Sequence, residues 1–128
     1  ALGVFRKDVV AIDALIDDKL QPSIDRSASD GMTKLHAALE MEINIHEAFA
    51  AIEGYVLRPD PQLRQKIADS EADFKRFQAQ YRATRLSDDE KRWLDAIDRA
   101  FAEAVTAGNE IIALTDAMRG KLKNCDVP

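Results

Sequence analysis

The chain has 128 residues, the size of one domain with a hydrophobic core, and 46% apolar, 32% charged, five Gly and four Pro residues indicate a helix-rich globular protein. Its formal net charge is −5, from 18 basic and 23 acidic residues, and the basic residues alternate with acidic ones, which argues against nucleic acid as a partner. There is no signal-peptide pattern and no apolar run of the ~18–20 residues that a membrane helix needs, and a single cysteine, Cys125, cannot form an internal disulfide.

Apolar residues that recur at steps of three and four predict the first two helices. The first covers residues 1–20, and its apolar positions are Phe5, Val9, Ile12, Ile16 and Leu20. The second covers about residues 31–57, and its apolar positions are Ala38, Met41, Ile45, Ala48, Ile52 and Tyr55. Strict alternation of three and four is typical of helices that pack nearly parallel to a neighbour.

Two further helices carry explicit start signals. In "RPDPQ", Asp60 is the predicted N-cap and Pro61 the first helical residue, and in "LSDDE", Ser87 and Glu90 form a predicted capping box. Apolar positions of the third helix are Leu63, Ile67, Phe74, Phe77 and Tyr81. Those of the fourth, predicted to be the longest, are Leu94, Ile97, Phe101, Ala104, Gly108, Ile111, Thr115, Met118 and Leu122.

The segment "QPSIDRSASDG", residues 21–31, decides between two architectures. Pro22 and the Ser- and Asp-rich run predict a turn, which gives an all-α, antiparallel up-down-up-down four-helix bundle. The apolar stripe nearly continues through Ile24, Ala28 and Met32, however, so the alternative is three long helices with the first kinked near Pro22.

The stretch "EMEINIHEAFAAIE", residues 40–53, contains four carboxylates and one imidazole, which are side chains that can bind a metal ion. Di-iron sites in helical bundles need a Glu-x-x-His motif on each of two helices. Here the position three residues before His46 is Ile43 and the position three residues before His36 is Thr33, so neither histidine belongs to such a motif. The two histidines are also roughly 80° apart around the ~3.6-residue helical turn. We therefore expect no metal and no cofactor, and the absence of nucleophile and phosphate-loop motifs argues against an enzyme.

Three segments carry a resemblance to a known class of domain. They are "EAFAAIEGYVLRPDPQL", "FKRFQAQYRATRLSDDEKRWLDAIDRAFAEAV" and "NEIIALTDAM". Over residues 22–118 the chain resembles the four-helix-bundle ligand-binding domains of bacterial transmembrane receptors, namely methyl-accepting chemotaxis proteins and CHASE3-type sensor histidine kinases. The resemblance implies a periplasmic sensor module between two membrane helices, usually a homodimer, which transmits a signal to a cytoplasmic output domain.

Such a role implies that both ends of the bundle face the membrane, which favours four helices over three. Since the chain starts at Ala1 without a methionine and ends in "NCDVP", we expect residues 1–128 to be one sensory domain excised from a longer receptor. A soluble helical adaptor or scaffold and a cofactor-binding bundle are the alternatives.

A small-molecule ligand, if the domain binds one, is expected on one side of the second helix. The candidate residues are Glu42, His46, Phe49 and Glu53, with Arg58 just beyond the helix end. They could hold a polar or cationic molecule, but a half-solvated edge of the helix seam has the same composition. His46 is of interest because an imidazole changes charge between pH 5 and 8.

Overall fold

The computed structural model describes residues 1–125 and consists of four helices, which account for 87% of those residues. The first, α1, covers residues 2–23 in three parts: an α-helix Leu2–Ala14, a π-helical stretch Leu15–Leu20 and a last α-helical turn Gln21–Ser23. The others are α2 (Gly31–Leu57), α3 (Pro61–Arg82) and α4 (Asp88–Cys125). No strand occurs in this part of the chain, so the predicted all-α class and four helices are confirmed.

The sequence predicts that the chain leaves the first helix at Pro22, but α1 continues through Pro22 to Ser23. The π-helical stretch explains this difference: the Gln21 N–H bonds to the Ile16 carbonyl five residues back, so the regular ladder is already interrupted where Pro22 has no N–H to donate. The helix ends at Ser23, and its C-cap Ile24 has an extended backbone (φ −73°, ψ 123°).

The loop 24–30 separates α1 from α2, and the three-helix alternative is therefore wrong. Asp25 stabilises the loop by accepting hydrogen bonds from the backbone N–H of Ser27 (2.9 Å) and from its hydroxyl (2.6 Å). Ile24 is buried, but Ala28 and Met32 are exposed, so the apolar stripe does not continue through the loop.

Both predicted helix starts are confirmed. Asp60 accepts a hydrogen bond from the Gln62 N–H (2.8 Å), and Pro61 is the first residue of α3. At the start of α4, the Glu90 N–H donates to the Ser87 hydroxyl (3.1 Å) and the Ser87 N–H donates to the Glu90 carboxylate (3.0 Å), which is a complete capping box.

The core is formed by the predicted apolar faces, with Phe74 of α3 stacked on Phe101 of α4 at a ring-centroid distance of 4.3 Å. Gly108 permits close approach of α4, since a Cβ there would lie 2.9 Å from Ile52 Cδ1. The Thr115 hydroxyl donates to the Ile111 carbonyl one turn earlier (2.8 Å). The closest pairs of helices are α2 with α3 and α1 with α4.

The last turns of α4 differ from the prediction. Met118 and Leu122 keep the seam spacing but are 64% and 61% exposed, and all residues 116–122 are exposed. The reason is length: α4 has 38 residues and continues past its contacts with the shorter helices.

A buried polar network lies at the end of the bundle that holds the loops 24–30 and 83–87. The Glu90 carboxylate accepts hydrogen bonds from the Lys34 ammonium (3.1 Å) and the Tyr81 hydroxyl (2.7 Å), and Lys34 also donates to the Arg85 carbonyl (2.6 Å). Although burial acts to raise the pKa of Glu90, the hydrogen bonds from Ser87, Tyr81 and Lys34 hold it below its ordinary value.

Candidate functional site

Four of the five predicted site residues lie on one face of α2, because Glu42, His46, Phe49 and Glu53 follow each other at steps of four, three and four. That face packs beside α1, which supplies a partner for each of them. We call these four residues, together with their α1 partners, the α1–α2 seam. It has an acidic half and an aromatic half.

The acidic half is built around Glu42 and His46. Asp13 of α1 lies 2.7 Å from the His46 Nε2 atom, and Gln21 donates to Asp17 (3.2 Å) and to Glu42 (3.5 Å). These α1 residues flank and occupy the π-helical stretch. Asp17 lies within the π-helical stretch, and Gln21 follows directly after it.

The carboxyl groups in this half crowd one another. Burial, a hydrogen bond shared with Asp17 and the charges of Asp17 and Asp13 together raise the pKa of Glu42 to about 8. Burial also raises the pKa of Asp13, although His46 acts in the opposite direction. This crowding favours the protonated form of the Glu42 carboxyl beside Asp17.

The aromatic half is built around Phe49, whose ring stacks on Phe5 of α1 at 5.3 Å. Arg6 lies over the Phe49 ring at 5.9 Å and 3.9 Å from the Glu53 carboxylate. Both charged groups are largely solvated, so this ion pair contributes little to stability. Arg6 thus covers the ring that the sequence had offered as a ligand contact.

Arg58 is not brought into the seam. It is exposed at the C-cap of α2, where its backbone N–H bonds to the Gly54 carbonyl (2.8 Å), and within residues 1–122 its side chain shares no hydrogen bond or ion pair with the other four. The arrangement joins Glu42, His46, Phe49 and Glu53 to α1 and leaves Arg58 apart.

In the part of the chain that the structure describes, no group of three or more His, Cys, Asp or Glu side chains is arranged to hold a metal ion. His36 faces α3, with its ring edge-on to Phe77 at 5.6 Å, whereas His46 faces α1. The predicted divergence of the two imidazoles is confirmed.

A second group of polar residues, which was not predicted from the sequence, lies at the end of the bundle away from the Lys34–Glu90 network, where α3 begins and the later part of α4 passes. The Tyr55 hydroxyl donates to Asp116 (2.6 Å), Arg64 forms an ion pair with the same carboxylate, and Arg64 also donates to the Tyr55 hydroxyl (3.0 Å). Nothing in the sequence spacing joins three residues so far apart. Only the packing of three helices brings them together.

The fold and this seam define an all-α, four-helix protein with a cluster of carboxyl groups and one imidazole between α1 and α2. Comparison with family models, with curated proteins and with solved structures finds no match. Within residues 1–125, none of the helices has both the length and the apolar character required to span a bilayer.

The seam predicts a pH-dependent stability that Glu42→Gln should remove. The Glu42 pKa is about 8 in the folded chain against an ordinary 4.5, so the folded state holds the extra proton between these values and stability falls as pH rises through this window. Glutamine has nearly the same shape as glutamic acid, and its amide can donate a hydrogen bond as the protonated carboxyl does. We expect the variant to gain about 1–2 kcal/mol over the native chain between pH 5 and 9, allowing for solvent screening.

The measurement is urea unfolding followed by circular dichroism at pH 5, 7 and 9. Glu47→Gln is the matched control, since it makes the same acid-to-amide substitution at an exposed position of the same helix, outside the crowded carboxyl groups. Parallel pH curves for Glu42→Gln and the native chain would contradict the shared proton.

Proposed function

We propose that this domain is the extracytoplasmic sensor module of a bacterial transmembrane receptor, in which ligand or packing signals pass along the helices to a cytoplasmic output domain. The supporting observation is the length of α4. Beyond Asp116, which contacts Tyr55 and Arg64, α4 runs on for residues 117–125, nine residues or about 13 Å at ~1.5 Å per residue. A helix that leaves the bundle in this way is suited to transmit its displacement to a following segment.

The proposal includes an antiparallel up-down-up-down arrangement, which puts both ends of the chain on one side. Contacts between α1 and α2 support it, because residue numbers rise along α1 (Arg6, Asp13) as they fall along α2 (Glu53, His46).

Contacts of α4 with α3 and with α1 are consistent with the same arrangement. Between α3 and α4 the contacts run from Arg64 with Asp116 to Phe74 with Phe101. The start of α1 also lies beside the later half of α4, since a Cβ on Gly108 would be 3.3 Å from the Phe5 ring.

A receptor of this kind works as a homodimer, and we propose that the exposed end of α4 forms part of the dimer contact. Leu114, Met118 and Leu122 are 59–64% exposed and lie at steps of four on one side of the helix. Met118 and Leu122 also continue the three-four seam that packs the bundle core, so a second copy of α4 is a geometrically matched partner.

Met118→Glu should weaken this dimer at least about tenfold, since a desolvated charge in the seam costs more than ~1.4 kcal/mol. Sedimentation equilibrium of the purified domain measures the effect, and circular dichroism should be unchanged. Ala117→Glu adds the same charge at the adjacent exposed position. Equal effects of the two variants, or a native domain that stays monomeric at millimolar concentration, would exclude this stripe as the dimer contact.

The receptor role itself is tested on the parent chain. We expect apolar segments of ~20 residues on both sides of this domain. In a Cys125→Ser background, a cysteine at the exposed position Val10 should react in intact cells with a thiol reagent that cannot cross the inner membrane. Protection of Val10→Cys until the cells are lysed would refute an extracytoplasmic location.

A soluble helical adaptor is the second candidate, because the exposed stripe of α4 is also the kind of surface that binds a partner helix. The parent sequence separates the two functions. Flanking segments without apolar runs would assign the domain to the adaptor class.

A further inference from the structure

A cleft of about 370 Å³ lies between α3 and α4, on a different side of the bundle from the α1–α2 seam. The backbones of α3 and α4 approach each other less closely than those of α2 and α3 or of α1 and α4. Ala68 on α3 and Ala113 on α4 line the cleft, and their small side chains leave the space between the helices open. Ile67, which is buried, and Ile112, which is half-buried, supply an apolar floor.

At one end of the cleft, two opposite charges form an ion pair that closes the space between the helices. Arg64 and Asp116 are ion-paired across it, and the Tyr55 hydroxyl bonds to both of them. The guanidinium and carboxylate are therefore already satisfied by each other, which leaves neither charge available to a ligand without breaking the pair.

The other end carries an unmatched carboxyl group. Glu71 lies two turns along α3 from Arg64, is half-buried, and makes no side-chain hydrogen bond or ion pair within residues 1–122. Burial raises its pKa, although the charge of Lys75 acts in the opposite direction. Asn109, on the α4 wall and two turns from Asp116, offers an amide oxygen at the same end.

We propose that this cleft binds a short amphipathic organic cation, with an ammonium or guanidinium head group at Glu71 and Asn109 and an apolar body over Ile67 and Ile112. Charge decides the class of ligand: Arg64 is occupied, so the free electrostatic partner in the cleft is the Glu71 carboxylate. The volume is at the lower end of the ~300–1,000 Å³ typical of small-molecule sites, which limits the ligand to a few carbon atoms or one ring.

This inference deepens the sensor role proposed above and rests on it for its meaning in the cell, but binding is a property of the isolated domain. Failure of binding would leave the receptor proposal in place, because that proposal is tested by the flanking segments and by labelling at position 10. Conversely, binding without membrane segments would leave a ligand site in an adaptor.

The experiment is an NMR titration of the ¹⁵N-labelled domain with phenethylammonium, compared with 2-phenylethanol and 3-phenylpropionate as neutral and anionic probes of similar size. We expect saturable shifts of the amides in residues 67–71 and 109–113 with the ammonium probe, at a dissociation constant of about 0.1–1 mM. The neutral and anionic probes should bind at least tenfold more weakly.

Two variants and one control separate the effect of charge from the effect of shape. Glu71→Gln should weaken binding of phenethylammonium at least tenfold, whereas Glu110→Gln, the same change at an exposed position of α4 outside the cleft, should leave it unaltered. Ala113→Leu should fill the cleft and abolish the shifts while Glu71 is still present, and its exposed position makes it compatible with the fold.

The proposal is overturned by any of three results. They are the absence of saturable shifts up to 10 mM probe, equal shifts with all three probes, and undiminished binding in folded Glu71→Gln. Loss of binding in Glu110→Gln to the same extent would show that overall charge, not the cleft, attracts the cation.

Discussion

Glu90→Ala is expected to lower the free energy of unfolding by about 3–5 kcal/mol, because it removes one partner of a buried ion pair. Glu90 and Lys34 are 5% and 9% exposed, and their charged groups lie 3.0 Å apart. Without the carboxylate, the Lys34 ammonium keeps the Arg85 carbonyl as its hydrogen-bond acceptor but has no counter-charge. The Tyr81 hydroxyl also loses its acceptor, and α4 loses half of its capping box.

Urea unfolding at pH 7 measures the loss, and two variants divide it. Ser87→Ala removes the hydroxyl of the capping box and should cost only about 1 kcal/mol. Adding Lys34→Met to Glu90→Ala should restore part of the stability, since the lone buried ammonium is then absent. A loss no larger than that of Ser87→Ala would contradict the proposed role of the buried pair.

The sequence was sufficient for features that depend on neighbours along the chain. Asp60 and Ser87 form the predicted caps, and Ser87 does so with the predicted partner Glu90, because a cap joins residues only two or three positions apart. Apart from the end of α4, the apolar faces are likewise buried as predicted, since helical periodicity alone decides which residues share a side.

Features that depend on other helices could not be read in the same way. Glu42 and His46 were predicted to share a face, but their partners Asp13 and Asp17 belong to α1, and the register of α1 against α2 follows from packing. The π-helical stretch, which lets the helix continue through Pro22, has no clear sequence signal.

The fourth helix illustrates a related limit. Its periodicity continues unchanged from the core into Met118 and Leu122, yet these residues are exposed because no other described helix reaches that far. Periodicity thus identifies a face that can be buried but not the partner that buries it. For the end of α4, that partner is proposed above to be a second copy.

Gly31→Ala is expected to lower the free energy of unfolding by about 2–3 kcal/mol, for a reason of space and not of backbone conformation. Gly31 is the first residue of α2 and has no positive φ, so alanine is compatible with its dihedral angles. A Cβ there would lie 2.2 Å from the Asp25 carbonyl oxygen and 3.0 Å from the Arg26 Cα. Both are backbone atoms, so the loop 24–30 has to move as a unit.

That movement would also disturb the end of the bundle that holds the buried Lys34 and Glu90, because Asp30 of the same loop accepts a hydrogen bond from the Arg85 N–H (3.1 Å). The measurement is urea unfolding followed by the fluorescence of Trp93, which packs against the core on α4. Gly120→Ala is the control: a Cβ at that position meets no atom within 4 Å, and the exposed helical site should gain up to about 1 kcal/mol from the better helix former. If Gly31→Ala instead matches this control, the loop is free to yield, and the close contact with Asp25 does not fix its position.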